Sequence, residues 1–127
     1  MSLTPVYAGI LALMYVVLSL RVISLRRAEK IGIGDGGHAE LIRRQRVHGN
    51  FAEYVPLVLV LMTLAELQEV PDAVVHLIGG LLLSGRLLHA WALGQEPGHL
   101  KARVLGMILT FAALIAGGLS NLGFVVY

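Results

Sequence analysis

The chain has no cysteine and few charged residues. The absence of cysteine excludes disulfides, thiolate metal sites and cysteine nucleophiles, so any thiol chemistry must come from a substrate. Charged residues make up 14% of the 127 residues and hydrophobic residues 57%. Soluble domains carry roughly 25% charged and 45–50% apolar residues. The chain therefore lacks the polar surface of a soluble domain, and its composition predicts an integral membrane protein.

Aromatic residues are also scarce, at 6%, and the hydrophobic residues form long runs without the alternation typical of strands. This pattern argues against an outer-membrane barrel. A spanning helix needs about 20 largely apolar residues, so a chain of this length accommodates at most four. We predict a single domain that is an all-α membrane bundle, with spans at about 3–27, 39–68, 73–93 and 99–124.

Glycine and proline mark the connections between these spans. Four glycines between Ile31 and Gly37 predict a flexible first loop, Pro71 marks the second loop and Pro97 the third. The apolar run Tyr54–Ala65 has only 12 residues, which is too short to cross a bilayer. Its helix must therefore begin upstream, near Ala39, and bring polar residues into the membrane.

Lysine and arginine are divided unequally between the two ends of the predicted bundle. All ten lie in or towards loops one and three, namely Arg21, Arg26, Arg27, Lys30, Arg43, Arg44, Arg46, Arg86, Lys101 and Arg103. The second loop instead carries Glu66, Glu69 and Asp72. The positive-inside rule then predicts that loops one and three are cytoplasmic and that both termini lie on the opposite side.

A polar stripe follows one face of the second helix. At about 100° per residue, positions 43, 46, 50 and 53 stay within roughly 80° of arc. The stripe consists of Arg43, Arg46, Asn50 and Glu53, with Tyr54 at its edge. We interpret it as a seam that faces the bundle interior and binds an anionic ligand. The alternative is an interfacial collar, in which the arginines contact lipid phosphate and Glu53 pairs with Arg46 or Arg43.

Charged residues of the third and fourth helices supply partners for this seam. Arg86 and His89 share one face of the third helix, where Arg86 is a bundle-facing cation and His89 is either interfacial or a ligand contact. In the fourth helix, Arg103 shares an arc with small residues, which predicts that it faces inward while Lys101 points elsewhere. The alternative for Arg103 is a helix-end charge that serves topology.

Two segments together resemble one known family. They are Ser19–Arg27, with the sequence SLRVISLRR, and Arg43–Pro56, with the sequence RRQRVHGNFAEYVP. The second contains the pattern Arg-x-x-x-Asn-x-x-Glu-Tyr-x-Pro, and in both segments the chain resembles the MAPEG proteins, the membrane-associated proteins of eicosanoid and glutathione metabolism. The likeness covers all four helices in length and order. It implies a four-helix bundle that assembles as a homotrimer and holds glutathione between neighbouring subunits near the cytoplasmic surface.

The resemblance also implies residue roles. By position, the glutathione contacts are Arg26, Arg46, Asn50, Glu53 and Tyr54, and the thiolate is stabilised by Arg103. The chain departs from the family pattern at Ile42, where many members have Glu, although Glu40 is nearby. It also has His89 and Leu93 where eukaryotic members often have tyrosine, so His89 is a further candidate for contact with glutathione.

Two functions of different classes remain open. The first is a glutathione-dependent membrane enzyme, with glutathione as co-substrate, that conjugates hydrophobic electrophiles or reduces lipid hydroperoxides. The alternative is a non-catalytic membrane module that binds anionic lipid or a partner protein. Expected partners are membrane lipids, a hydrophobic electrophile and further copies of the chain, whereas no metal site and no nucleic-acid partner are expected. A transporter is disfavoured because the chain has no evident internal repeat or broken helix.

Overall fold

Four long helices make up the computed structural model, which describes residues 2–94 and 99–125. The helices are α1 (Thr4–Glu29), α2 (Ala39–Leu67), α3 (Asp72–Gly94) and α4 (Leu100–Val125), and each end lies within two residues of the expected position. The expected break at Pro97 lies outside the described residues. All four helices are long and apolar enough to cross a membrane, so the predicted four-helix membrane bundle is confirmed.

Polar contacts join the helices at both ends of the bundle, which we call the basic end and the acidic end. At the basic end, where α1 and α3 finish, Arg44 Nη1 donates a hydrogen bond to the carbonyl of Arg21 at 2.7 Å. At the acidic end, the Glu66 carboxylate accepts the backbone N–H groups of Leu3 and Thr4. The first N–H groups of a helix have no partner within the helix. Glu66 supplies an acceptor for two of them.

The core runs along the length of the bundle and contains apolar residues from all four helices. Its buried members include Leu11, Leu18, Val47, Phe51, Val58, Met62, Val75, Ile78, Leu82 and Ala113. Many other large apolar side chains point outward, and Leu13, for example, is 72% exposed. Outward-facing apolar side chains are what a lipid environment requires of a spanning helix.

Side chains of α1 and α2 hold the first loop. Arg26 Nη1 donates hydrogen bonds to the carbonyls of Ile31 at 3.3 Å and Gly34 at 2.7 Å. Gln45 Nε2 donates to the same Gly34 oxygen at 3.2 Å. Gly34 has φ +71°, which a glycine adopts without a steric penalty. The loop that we expected to be flexible is therefore anchored at its middle.

Two glycines allow α3 and α4 to approach closely. A Cβ atom added at Gly85 would lie 2.9 Å from the carbonyl oxygen of Gly106. A Cβ atom added at Gly106 would lie 2.9 Å from the Gly85 oxygen and 2.9 Å from the backbone nitrogen of His89. Small residues of this kind are the usual means by which membrane helices pack backbone to backbone. The crossing lies beside Arg86 and His89 and so positions both.

Gly85→Ala should destabilise the bundle, because the new methyl group has backbone atoms in its way. We expect a loss of about 1–3 kcal/mol in the free energy of unfolding, measured in detergent. Gly80→Ala in the same helix is the matched control, since no atom lies within 4 Å of its added Cβ. That control should be neutral or stabilising by up to about 1 kcal/mol. Equal stability of the two variants would contradict the packing described for α3 and α4.

Candidate functional site

Among the charged residues that the structure describes, Arg86 is the most deeply buried. Its side chain is 2% exposed and lies between α2 and α4. Arg86 Nη1 donates a hydrogen bond to Asn50 Oδ1, and Nη2 lies 3.4 Å from the sulfur of Met107. The guanidinium carbon is 6.0 Å from the centre of the Tyr54 ring, within the range of a cation–π contact. Arg86 thus joins three helices at one point, and the sequence-based prediction of a bundle-facing cation is correct.

His89 lies one helical turn beyond Arg86 on the same face of α3. It is 3% exposed and interacts electrostatically with the guanidinium groups of Arg86, Arg103 and Arg46. The three arginines come from α2, α3 and α4, and we call them the cationic cluster. The cluster lies in the half of the bundle nearer the basic end. Its arginines make no ion pair with any carboxylate of the residues that the structure describes.

The polar stripe of α2 lies at the edge of the bundle rather than in its interior. Asn50 and Tyr54 are half-buried, and the Tyr54 ring packs edge-on against Phe111 with centroids 5.6 Å apart. Arg46 and Glu53 are exposed. The expectation that the whole stripe faces inward is therefore wrong for these two residues.

The reason is the rotation of α2 about its own axis. The buried face of this helix is apolar and includes Val47, Phe51, Val55 and Val58. At about 100° per residue, Glu53 lies roughly 160° from Phe51, on the opposite side of the helix. Lipid tails are as apolar as these side chains, so the fit of the apolar face against the neighbouring helices, rather than removal from water, fixes the rotation. Only the flank of the stripe, at Asn50 and Tyr54, then reaches α3 and α4.

Arg103 is also exposed, contrary to the expectation that it faces inward. The buried residues of α4 are Ala102, Gly106, Thr110, Ala113 and Gly117. Arg103 lies at the border of this small-residue face, where a long charged side chain can avoid the tight crossing with α3. It still interacts with His89, so it belongs to the cationic cluster from the outer side.

Arg26 lies on a different side of α2 from Asn50. Both Arg26 and Gln45 bind the Gly34 carbonyl, so Arg26 is on the Gln45 side. At about 100° per residue, Gln45 and Asn50 are roughly 140° apart. On that same side, the Ser19 hydroxyl and His48 Nε2 form a hydrogen bond of 3.0 Å, a pair that sequence reasoning missed. A single chain therefore does not bring Arg26 together with the other candidate site residues.

Glu40 binds the arginines at the start of α2. Its carboxylate accepts hydrogen bonds from Arg43 at 2.6 and 3.1 Å and from Arg44 at 3.0 Å. Because Arg44 also binds the Arg21 carbonyl, Glu40 connects the start of α2 to the end of α1. An acidic partner for the first arginines is thus present although Ile42 replaces the usual Glu of the family pattern.

Comparison with known proteins identifies the family of this chain. The model of the MAPEG family matches residues 4–123. The chain is 37% identical over 119 residues to the inner membrane protein YecN of Escherichia coli strain K12. The matched region covers 94% of this chain and 89% of YecN. The YecN protein of Escherichia coli O6:H1 strain CFT073 matches with the same identity and coverage.

Glu40→Gln should destabilise the folded chain, whereas Glu53→Gln should not. Glu40 loses its charge-assisted hydrogen bonds to two arginines, and we expect the free energy of unfolding in detergent to fall by about 1–2 kcal/mol. Glu53 is exposed and has no hydrogen bond or ion pair within residues 2–94 and 99–125, so its substitution should leave that value unchanged. The two variants remove the same charge, and equal losses from both would contradict the assigned role of Glu40.

Proposed function

This chain belongs to the MAPEG family, and we propose that it is a glutathione-dependent membrane enzyme. Its reaction is the conjugation of glutathione to hydrophobic electrophiles or the reduction of lipid hydroperoxides. In conjugation, the thiolate sulfur forms a bond to an electrophilic carbon. That carbon either loses a leaving group, or passes an electron pair to a neighbouring oxygen or carbon atom that then takes up a proton. In reduction, the thiolate attacks the hydroperoxide to give an alcohol and a sulfenic acid, which a second glutathione converts to the disulfide and water.

The observation that carries this proposal is the cationic cluster beside Asn50 and Glu53. Glutathione has two carboxylates, an α-ammonium group and a thiol. Arginines bind carboxylates through paired N–H donors, and the cluster contains three arginines without a carboxylate partner in the described part of the chain. The exposed carboxylate of Glu53 suits the α-ammonium group, and Asn50, Tyr54 and His89 supply hydrogen-bonding groups.

The exposure of three of these residues supports a site completed by a second subunit. Arg46, Glu53 and Arg103 are exposed in the single chain, whereas Arg26 lies on the other side of α2. A ring of identical subunits brings one face of each chain against a different face of its neighbour. We propose a homotrimer in which Arg26 of one subunit joins Arg46 and Glu53 of the next.

Arg103 is our candidate for stabilising the thiolate. A free thiol has a pKa of about 8.5 and is mostly protonated at neutral pH, and each unit by which that pKa falls corresponds to about 1.4 kcal/mol. A guanidinium at the edge of the cluster lowers the pKa of a neighbouring thiol because it favours the anion. The site lies towards the basic end, which we place in the cytoplasm by the positive-inside rule. Hydrophobic substrates then enter from the bilayer.

A glutathione titration of the detergent-solubilised protein tests the proposal. Saturable thermal stabilisation with an increase in ultraviolet thiolate absorbance supports the enzyme and justifies a screen of electrophiles. Stabilisation without thiolate indicates a binding module. If neither signal is seen, the proposal is wrong, and the anionic-lipid alternative is then examined with vesicles of defined charge.

Two substitutions should separate binding from activation. Glu53→Gln should weaken glutathione binding about tenfold, because it removes the charge that faces the α-ammonium group. Arg103→Ala should mainly lower the fraction of bound glutathione present as thiolate, measured by its ultraviolet absorbance near neutral pH. Lys101→Ala is the matched control, since Lys101 lies roughly 160° from Arg103 around α4. Thiolate absorbance that is equal in Arg103→Ala and the parent would refute the role of Arg103.

Mixed oligomers test whether the site is shared between subunits. Arg26→Ala chains alone and Glu53→Gln chains alone should each bind glutathione poorly. Co-expression of the two chains in equal amounts should restore about a quarter of the sites, namely those in which an intact Arg26 of one chain meets an intact Glu53 of the other across an interface. Asn50→Ala and Glu53→Gln chains provide the control, because these residues lie on one chain and no interface in their mixture is intact. Binding stoichiometry measures the recovery. Equal recovery in the two mixtures would rule out the shared site.

A further inference from the structure

The positive charge of Arg86 is not neutralised within the described chain. The side chain is 2% exposed, and no Asp or Glu in residues 2–94 and 99–125 forms an ion pair with it. Its Nε atom is buried and has no hydrogen-bond partner within the same residues. Placing an unpaired guanidinium in an apolar, membrane-spanning environment is strongly unfavourable. Such a residue needs an anion, and residues 2–94 and 99–125 do not supply one.

Asn50, the hydrogen-bond partner of Arg86, is uncharged and so cannot be that anion. Arg86 does, however, fix the orientation of the Asn50 amide. A guanidinium has N–H donors and no acceptor, so the Asn50 atom that faces it must be the carbonyl oxygen Oδ1. The Nδ2 amide group is then left for other partners. Asn50 is only half-buried, so this group is accessible from the edge of the bundle. Asn50 therefore offers hydrogen-bond donors to a ligand, and the ligand atom that it meets must be an acceptor.

Glu53, the acidic residue of the same stripe, does not neutralise Arg86 either. It is exposed and lies roughly 60° further around α2 than Asn50, away from the buried face. It forms no ion pair with Arg86 in the described part of the chain. The position next to Arg86 and Asn50 therefore combines a fixed positive charge with outward N–H donors.

We propose that Arg86 is a positioning residue for Asn50 and that an anionic group of the bound ligand neutralises its charge. This inference rests on the proposed function in taking glutathione as the ligand, and the anionic group is then its thiolate or one of its carboxylates. Arg86 acts on the ligand in two ways. It holds the Asn50 amide with its donors towards the ligand, and its charge favours the anionic form of the group that Asn50 binds.

The decisive variant is Asn50→Asp, which replaces the amide by a carboxylate of the same shape. The carboxylate can accept the hydrogen bond from Arg86 and neutralise it, but it has no N–H donor for a ligand. We expect the melting temperature of the ligand-free protein in detergent to rise by about 4 °C or more. We expect its affinity for glutathione to fall about tenfold or more. Asn50→Leu, of similar size but uncharged, should lose affinity and also melt below the parent.

A double-substitution cycle assigns the gain in stability to Arg86. In an Arg86→Met background, Asn50→Asp should no longer raise the melting temperature, because the carboxylate then has no cation to bind. If Arg86→Met does not fold, the comparison of Asn50→Asp with Asn50→Leu decides alone. A melting temperature for Asn50→Asp no higher than that of Asn50→Leu overturns the inferred charge. If Asn50→Asp binds glutathione as tightly as the parent does, the positioning role of Arg86 is overturned.

These outcomes are separable from failure of the proposed function. If the parent protein does not bind glutathione, the proposed function fails, while the melting temperatures of the ligand-free variants still test the uncompensated charge of Arg86. If the parent binds, S-methylglutathione distinguishes the two anions, since it retains both carboxylates but cannot form a thiolate. An equal loss of affinity for both ligands in Asn50→Asp assigns a carboxylate to Arg86, and a loss confined to glutathione assigns the thiolate.

Discussion

The close crossing of α3 and α4 determines where the buried charge of this bundle lies. Neither Gly85 nor Gly106 has a side chain, so the two backbones meet within contact distance. Arg86 is the next residue after Gly85, and its side chain is directed towards α2, where it meets Asn50, and towards Met107 of α4. A wider crossing would admit lipid or water at this level and would change the surroundings of the guanidinium. The candidate site therefore depends on helix packing as much as on its charged residues.

A second consequence follows from the way in which α2 divides the polar residues. Its buried face is hydrophobic, so the polar groups lie on its flanks. One flank, with Asn50 and Tyr54, contacts Arg86 of the cationic cluster. The other, with Gln45 and His48, contacts the first loop and α1. A single bundle cannot bring the two flanks together, because its own core separates them. In the proposed homotrimer, rotational symmetry would bring one flank of each chain towards the other flank of its neighbour.

Much of the fold was predictable because a bilayer allows few solutions. Backbone polar groups must be satisfied within each spanning segment, so a long apolar run becomes a helix whose ends follow from its length and from its glycine and proline breaks. Glu40 shows the limit of motif reasoning. The usual acidic neighbour of the first arginines is absent at Ile42, but one helical turn brings Glu40 to Arg43 and Arg44, so the same contact is made from another position.

The residues of the candidate site were identifiable from sequence, but their orientation was not. Periodicity gives the angles between residues of one helix, and it correctly grouped Arg46, Asn50 and Glu53 on one stripe. It does not give the rotation of that helix about its own axis. Packing decides the rotation, and it left Arg46, Glu53 and Arg103 exposed while burying Arg86 and His89.

The amino-acid sequence alone determined that this protein is a four-helix membrane bundle and which polar residues its helices contain, because hydrophobic length and helical period are local properties of the chain. Only the tertiary structure decided that Arg86 binds Asn50 and that Arg26 lies on the other side of α2. Those relations join residues of different helices. They depend on the rotation and separation of the packed helices, which the sequence of a single helix does not determine.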